Sequence, residues 1–329
     1  MSGTQHPLYP LIKLCTVTAT KLYYGLLLTY LKLAPPKLTL PINSSSTTTK
    51  AKDYHEYGFA TLSAYDLALD WNCFLYGVSK KEMQEWFDQG LTEEHADIGP
   101  GSGYYPVHSK RLPALIASST PSKPIAYHAF DTQETSLLYL TSRLSSRFPL
   151  TTSSSLPSTA SGNGTPSNPS LALQTHLFDA RQHARARSEF GGKMQSVNMH
   201  FLLHCIPPTE GGGPEDKFEA VLKTAWEMLK PGGSVYGTTI LDPLAPSAPG
   251  RLNSSFPPTS LRLQPALALI SWLQSVGVLC NQGDSLNALL CAAQPVGFEF
   301  EERGGRDVYL RGVVCFFRFR KPEERKDEA

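Results

Sequence analysis

The stretch Glu94-His95-Ala96-Asp97-Ile98-Gly99-Pro100-Gly101-Ser102-Gly103-Tyr104-Tyr105 decides the fold. Residues 95–98 read as a short strand with an acid, Asp97, at its end. The chain then turns through glycines at alternate positions, and a helix is expected after them. Glycine carries no Cβ, so its backbone can approach a ligand closely and can adopt left-handed conformations. A helix beginning after the turn presents free N–H groups. An acid at the strand end suits a cationic or hydroxyl-bearing ligand. A dinucleotide site prefers G-x-G-x-x-G with pyrophosphate on the helix N-terminus. The spacing here is D-x-G-x-G-x-G.

Outward from this turn the pattern alternates. Residues 65–76 and 80–87 read as helices leading into the strand. Residues 124–130 form a short strand that runs into Asp131-Thr132-Gln133, and 135–148 read as a helix. Residues 194–200 read as another strand. The clearest helix is 217–230, where Phe218, Val221, Leu222, Ala225, Trp226 and Leu229 share one face. Pro231-Gly232-Gly233 stops it, and 234–241 follow as a buried strand. Residues 296–301 and 308–320 predict a final hairpin turning at Gly304–Gly305. Strands alternating with helices imply an α/β fold with a mostly parallel sheet and helices on both faces. The hairpin adds antiparallel pairing at one edge.

The chain has 329 residues, enough to bury a sizeable core. Charged residues are only 18%, replaced by Ser, Thr, Pro and Gly. The net charge of +1 argues against a nucleic-acid partner. Cys15, Cys73, Cys205, Cys280, Cys291 and Cys315 are scattered, with no CxxC pair, so neither a zinc site nor a disulfide scaffold is expected. They read as buried free thiols in a reducing, cytoplasmic compartment. Residues 11–33 are apolar but interrupted by Lys13, Lys21 and Lys32, and the longest uncharged run is about half of what a bilayer crossing needs. They predict one or two extra helices covering an active site, with loose membrane-surface contact as the alternative. Residues 35–52 read as a linker. Residues 151–170 read as a disordered insertion in a surface loop, and 243–258 as a soft connection. The expected organisation is an extension and linker over 1–53, one domain over 54–320, and a charged tail over 321–329.

The D-x-G-x-G-x-G spacing resembles motif I of the class I S-adenosylmethionine-dependent methyltransferases. Three further segments strengthen the resemblance. Asp131 ends the second strand, where such folds hydrogen-bond ribose hydroxyls. Met194-Gln195-Ser196-Val197-Asn198-Met199-His200-Phe201-Leu202-Leu203-His204-Cys205-Ile206-Pro207 is similar to a fourth-strand motif of fungal methyltransferases of specialised metabolism, approximately F-D-S-I-x-L-N-Y-L-L-H-C-L-P. Residues 229–241 look like the L-x-P-G-G-x-x-F-G-x-T-I-L segment of that family. Tyr65-Asp66, Asn72, residues 277–284 and residues 312–318 extend the likeness across 54–320. It departs at Gln195, where the family has Asp, at His200, where it has Asn, and at Val276, where Lys is frequent. Residues 176–179 match poorly.

The resemblance implies a Rossmann-like sheet, S-adenosylmethionine as cofactor, no metal, and a small-molecule acceptor methylated on oxygen, nitrogen or carbon. Asp97, Gly99, Pro100, Gly101 and Gly103 would cradle the amino-acid and ribose part. Asp131 and Thr132 would hold the ribose hydroxyls, and Asp179 would contact the adenine amine. Methyl transfer is an in-line displacement in which the protein mainly supplies positioning. Where a general base is needed, His200 and His204 are the candidates. Each also reads as a hydrogen-bonded structural histidine. A base with an ordinary imidazole pKa would put a limb near pH 6.5 in the rate profile. Cys205 has nothing to activate it. Asn72, Tyr76, Trp86 and Trp226 read as core. The competing readings are a catalytically silent cofactor-binding accessory protein and a nicotinamide-dependent oxidoreductase. The latter is disfavoured by the glycine spacing and the final hairpin.

Overall fold

The computed structural model describes residues 8–33, 58–120, 123–154, 170–245, 253–256, 260–300 and 307–323. Its strands are β1 (Glu94–Ile98), β2 (Ile125–Asp131), β3 (Leu150–Ser154), β4 (Leu171–Leu177), β5 (Met194–His200), β6 (Leu229–Ile240), β7 (Val308–Arg311) and β8 (Val314–Arg320). They form one sheet in the order β3-β4-β2-β1-β5-β6-β8-β7. Pairing is parallel from β3 through β6. Strand β8 runs antiparallel between β6 and β7. This is the mostly parallel α/β sheet with a C-terminal antiparallel hairpin that the sequence predicts.

The helices are α1 (Tyr9–Leu33), α2 (Phe59–Tyr76), α3 (Lys80–Gly90), α4 (Tyr104–His108), α5 (Arg111–Ser118), α6 (Glu134–Ser145), α7 (His183–Phe190), α8 (Pro214–Met228), α9 (Leu263–Ser275) and α10 (Leu286–Val296). They cover both sheet faces, giving two cores. One gathers Leu69, Phe87, Leu137, Leu140, Tyr236 and Leu267 from α2, α3, α6, β6 and α9. The other gathers Val197, Met199, Phe218, Leu222, Leu289 and Phe317 from β5, α8, α10 and β8. Parallel strands covered on both faces are normally apolar throughout. Strand β5 departs from this. Val197 and Met199 enter the second core, while Ser196, Asn198 and His200 lie buried on the opposite face.

Three expectations are corrected. The terminal hairpin lies within 308–320 and turns at Gly312, not at Gly304–Gly305, which fall outside the described residues. Gly312 has φ +56°, and a Cβ there would sit 1.8 Å from the Tyr76 carbonyl oxygen, so only glycine permits this turn. Val296 ends α10, and Glu299 makes just an isolated bridge to Arg320. Second, Thr151–Ser154, expected in a disordered loop, belong to edge strand β3 and pair with β4. Threonine suits a strand, and an edge position tolerates a polar sequence. The rest of that stretch, 155–169, and the expected linker at 35–52 lie outside the described residues. Third, all six cysteines are free, but only Cys73 and Cys315 are buried.

The N-terminal segment is one continuous helix, α1. It packs on α2 and α9 through Tyr23 Oη to the Leu67 carbonyl (3.1 Å), Trp71 Nε1 to Thr20 Oγ1 (3.3 Å) and Lys21 over the Trp272 ring. Among the described residues no helix is long and apolar enough to cross a membrane. The soft connection after β6 is organised by Asn253, whose amide donates to the carbonyls of Asp242 (3.2 Å) and Ala245 (3.1 Å).

Candidate active site

The carboxyl ends of β1, β2 and β5 meet at the glycine turn, where open parallel sheets place their ligands. Gly99, Gly101 and Gly103 all have positive φ, between 54° and 70°. Their reasons for being glycine differ. A Cβ at Gly99 would lie 2.6 Å from Leu202 Cδ1, and one at Gly103 would lie 2.4 Å from Leu140 Cδ1. These two let the turn pack against its neighbours. A Cβ at Gly101 would meet nothing within 4 Å, because that residue borders open cavity. The helix expected after the turn is the short α4.

The turn is pinned from outside. The Ser102 hydroxyl donates to the Asp66 carboxylate in α2. Arg143 in α6 donates to the same carboxylate and to the Ser102 carbonyl, the latter at 2.8 Å. The Tyr65-Asp66 pair was noted in sequence only as a resemblance. In the structure the Asp66 carboxylate clamps the glycine turn between α2 and α6, while Tyr65 borders the cavity.

Two acids face the cavity. The Asp97 carboxylate accepts from Tyr127 Oη on β2 (2.5 Å) and Asn198 Nδ2 on β5 (2.7 Å). Burial pushes its carboxyl up to about 6, against the pull of those two bonds. Asp131 accepts the Gln133 N–H at 2.9 Å. Burial pushes it up to about 7. The backbone N–H groups of Gln133, Gly101 and Thr132 oppose that rise, and the nearby Asp97 adds to it. Pro100 and Thr132 also border the cavity. Asp179 does not. Its carboxylate is held by Arg181 at 2.9 and 3.1 Å, and the wall at that point is formed by Phe178 and Ala180. The cavity border at this point is therefore apolar, with the Asp179 carboxylate set back from it.

The cavity, about 380 Å³, extends from the turn into a chamber roofed by α1, α2 and α9. Tyr24, Tyr65, Leu69, Asn72, Trp272 and Leu273 line this chamber. Asn72 Nδ2 donates to Tyr24 Oη at 2.8 Å, and Asn72 Oδ1 is buried with no hydrogen-bond partner. Asn72 and Tyr76 are buried as expected, Tyr76 within the first core, and both also stand in the chamber wall. Trp86 and Trp226 are packing residues, against Tyr309 and Phe316 and against Phe298 respectively. Tyr24 lies in the extension outside the family resemblance, where no motif could mark it. Its proximity to Asn72 follows from the docking of α1.

Both histidines border the cavity. His200 Nδ1 lies 2.8 Å from Thr238 Oγ1, and its ring sits against Tyr105, with Nε2 buried and unpartnered. Burial lowers its pKa to about 3. His204 Nδ1 accepts the Ile240 backbone N–H at 3.1 Å, so the neutral ring carries its proton on Nε2. Its pKa is likewise lowered to about 3, by burial and then by the Lys217 charge. Burial thus favours the neutral form of both rings well below the pH at which an ordinary imidazole titrates. Phe201, between them, is the one non-glycine residue with positive φ among the described residues (53°), a strained bend at the cavity edge. Of the departures from the family pattern, Gln195 is exposed, whereas His200 and Val276 border the cavity.

No family model matches the chain. The chain is similar to demethylluteothin O-methyltransferase of Streptomyces thioluteus, 28% identical over 209 residues, covering 61% of this chain and 70% of that protein. Among solved structures it is similar to an O-methyltransferase family protein from Burkholderia thailandensis, with TM-score 0.44 and 12% identity. That alignment covers 80% of this chain and 60% of the Burkholderia chain, less than two thirds of its length. It is also similar to the N-methyltransferase NodS from Bradyrhizobium japonicum in complex with S-adenosyl-L-homocysteine, with TM-score 0.41, 11% identity, and coverage of 74% and 87%. The strand order, with an antiparallel strand inserted beside the last parallel one, and the glycine turn after β1 define a Rossmann-like α/β fold.

Proposed function

We propose that this chain is a class I S-adenosylmethionine-dependent methyltransferase that methylates a hydroxyl oxygen of a small, largely apolar molecule. The single observation that carries the reading is Gly101. Its left-handed backbone opens onto a cavity that two acids, Asp97 and Asp131, face from neighbouring strand ends. The relation to the Streptomyces O-methyltransferase supports the same class.

When bound, S-adenosylmethionine supplies an electrophilic sulfonium methyl group and a good leaving group. The residues present fit it. Ionised Asp131 can accept from two ribose hydroxyls, and Asp97 offers a second anionic site beside the turn. Phe130, Phe178 and Ala180 offer an apolar slot for a base. Asp97 and Asp131 are the only acidic residues among the described residues lining the cavity. The acceptor chamber therefore holds no anion for a charged amine, which favours a hydroxyl acceptor. His204 Nε2–H serves as a donor that orients the acceptor. His200 is the proposed proton acceptor. Burial keeps its ring neutral, so the unpartnered Nε2 can accept a proton from the acceptor hydroxyl as the methyl group is transferred.

Two measurements test the reading. Isothermal titration should detect binding of S-adenosylmethionine and none of NAD. A screen of aromatic hydroxy compounds should yield products heavier by one CH₂ group. Binding of NAD in preference to S-adenosylmethionine sinks the proposal, and cofactor binding with no turnover on any acceptor favours a silent accessory protein.

A further inference from the structure

Asn72 lies in the interior of α2, is 8% exposed, and borders the cavity. Asparagine is a poor choice for a helix interior, because its side chain competes for backbone hydrogen bonds. A buried amide also costs free energy unless both of its ends are hydrogen-bonded. Here only one end is. Nδ2 donates to Tyr24 Oη at 2.8 Å, and Oδ1 has no partner. A leucine at this position would suit both the helix and the neighbouring chamber residues Leu69 and Leu273. A buried polar atom left unsatisfied beside a cavity calls for a partner that enters with the ligand.

Tyr24 completes the pair. Its oxygen accepts from Asn72, so its own proton points elsewhere, and it donates to no described residue. Burial raises its pKa, which keeps the phenol neutral and its proton available. The side chain is already held in place. Thr20, one turn earlier on α1, accepts from Trp71 Nε1, and the adjacent Tyr23 donates to the Leu67 carbonyl. Two helices thus present a hydroxyl donor and a carbonyl acceptor side by side, with little ordering left to be done on binding. Among the described residues, no charged side chain of α1, α2 or α9 lines this chamber. The complementary group is therefore neutral and both accepts and donates a hydrogen bond, which is the chemistry of a hydroxyl.

We propose that Tyr24 and Asn72 select the acceptor by a second hydroxyl group, distinct from the one that is methylated, which accepts from Tyr24 Oη and donates to Asn72 Oδ1. This rests on the proposed methyl transfer to an acceptor held in the chamber, and it adds what that acceptor must carry. It also gives α1 a part in specificity, since Tyr24 is the residue by which that helix reaches the cavity.

The test compares naphthols, which carry one hydroxyl, with the dihydroxynaphthalene isomers, which place a second hydroxyl at different distances on the same apolar skeleton. With S-adenosylmethionine as donor, at least one isomer should exceed the naphthols in kcat/KM by about tenfold or more, because a site built to hydrogen-bond a hydroxyl rejects the analogue that lacks it. Tyr24→Phe and Asn72→Leu should each bring that ratio close to one. The ratio is the readout, since a general loss of packing lowers turnover of both kinds of acceptor alike. Titration of each variant with S-adenosylhomocysteine checks that the cofactor site is intact. Equal use of naphthols and all dihydroxynaphthalenes by the wild type, no turnover of any of them, or a ratio retained by either variant overturns the proposal. Failure of the wild-type chain to bind S-adenosylhomocysteine removes the methyltransferase reading itself, and this proposal with it.

Discussion

The backbone N–H of Ile240 donates to His204 Nδ1 at 3.1 Å. That bond fixes the imidazole tautomer, because a nitrogen accepting from an amide cannot carry a proton itself. The neutral His204 ring therefore carries its proton on Nε2, and in the proposed reaction it would serve as a donor, not as a general base.

His204→Phe is expected to weaken acceptor binding with little change in cofactor affinity. It should also destabilise the fold by about 1–3 kcal/mol, because the Ile240 N–H becomes a buried unpaired donor. Nitrogen-15 NMR of the imidazole should show the Nε2–H tautomer. A proton on Nδ1 would falsify the assignment.

Cofactor affinity should rise with pH. Burial raises both Asp97, to about 6, and Asp131, to about 7, above their ordinary value. For the ligand-free fold, raised carboxyls contribute stability at low pH that is lost as pH rises through those values. A cationic ligand with hydroxyl donors reverses the preference, since it binds the ionised carboxylates. Titration at about pH 5.5 and again at about pH 8 should give tighter binding at the higher pH, with proton release visible in buffers of different ionisation enthalpy. Asp131→Ala should weaken binding by about 1–3 kcal/mol and flatten the upper part of the profile. A pH-independent dissociation constant would place the ribose-binding acid elsewhere.

The glycines should separate by mechanism. Gly101→Val should abolish cofactor binding and destabilise the fold only by about the 1–2 kcal/mol of a left-handed residue, since its Cβ meets no neighbour. Gly103→Val should lower the melting temperature further, because its Cβ strikes Leu140. Equal losses of stability at both positions, with cofactor binding intact in Gly101→Val, would contradict this account of the turn.

His200→Asn should lower turnover by about 10²-fold, the low end for loss of a general base, with cofactor affinity retained. At saturating cofactor, the wild-type turnover profile should show no imidazole limb near pH 6.5, since burial keeps the ring neutral down to about pH 3. Wild-type turnover in the Asn variant would reduce His200 to a wall of the cavity.

Much of the fold was legible because its signals are local. Residues 194–200 form β5 with the boundaries read from sequence, and α8 follows the apolar periodicity of its own residues. The terminal hairpin was misplaced because residues 308–320 look like one apolar run. What breaks the run is Gly312 passing against the Tyr76 carbonyl, a contact between residues far apart in sequence. Edge strand β3 was missed because a Ser/Thr-rich segment gains strand character only when β4 offers a partner.

By itself the sequence determined the parallel sheet, the glycine turn and the acids at two strand ends, since backbone sterics and strand periodicity act between near neighbours. The tertiary structure alone decided the shape and lining of the cavity. Tyr24 reaches Asn72 because α1 docks on α2, Asp179 turns to Arg181 and leaves Phe178 as the wall, and Ile240 assigns the proton of His204. Tautomer, burial and pKa depend on which distant groups exclude water or donate a hydrogen bond, and those neighbours exist only once the chain has folded.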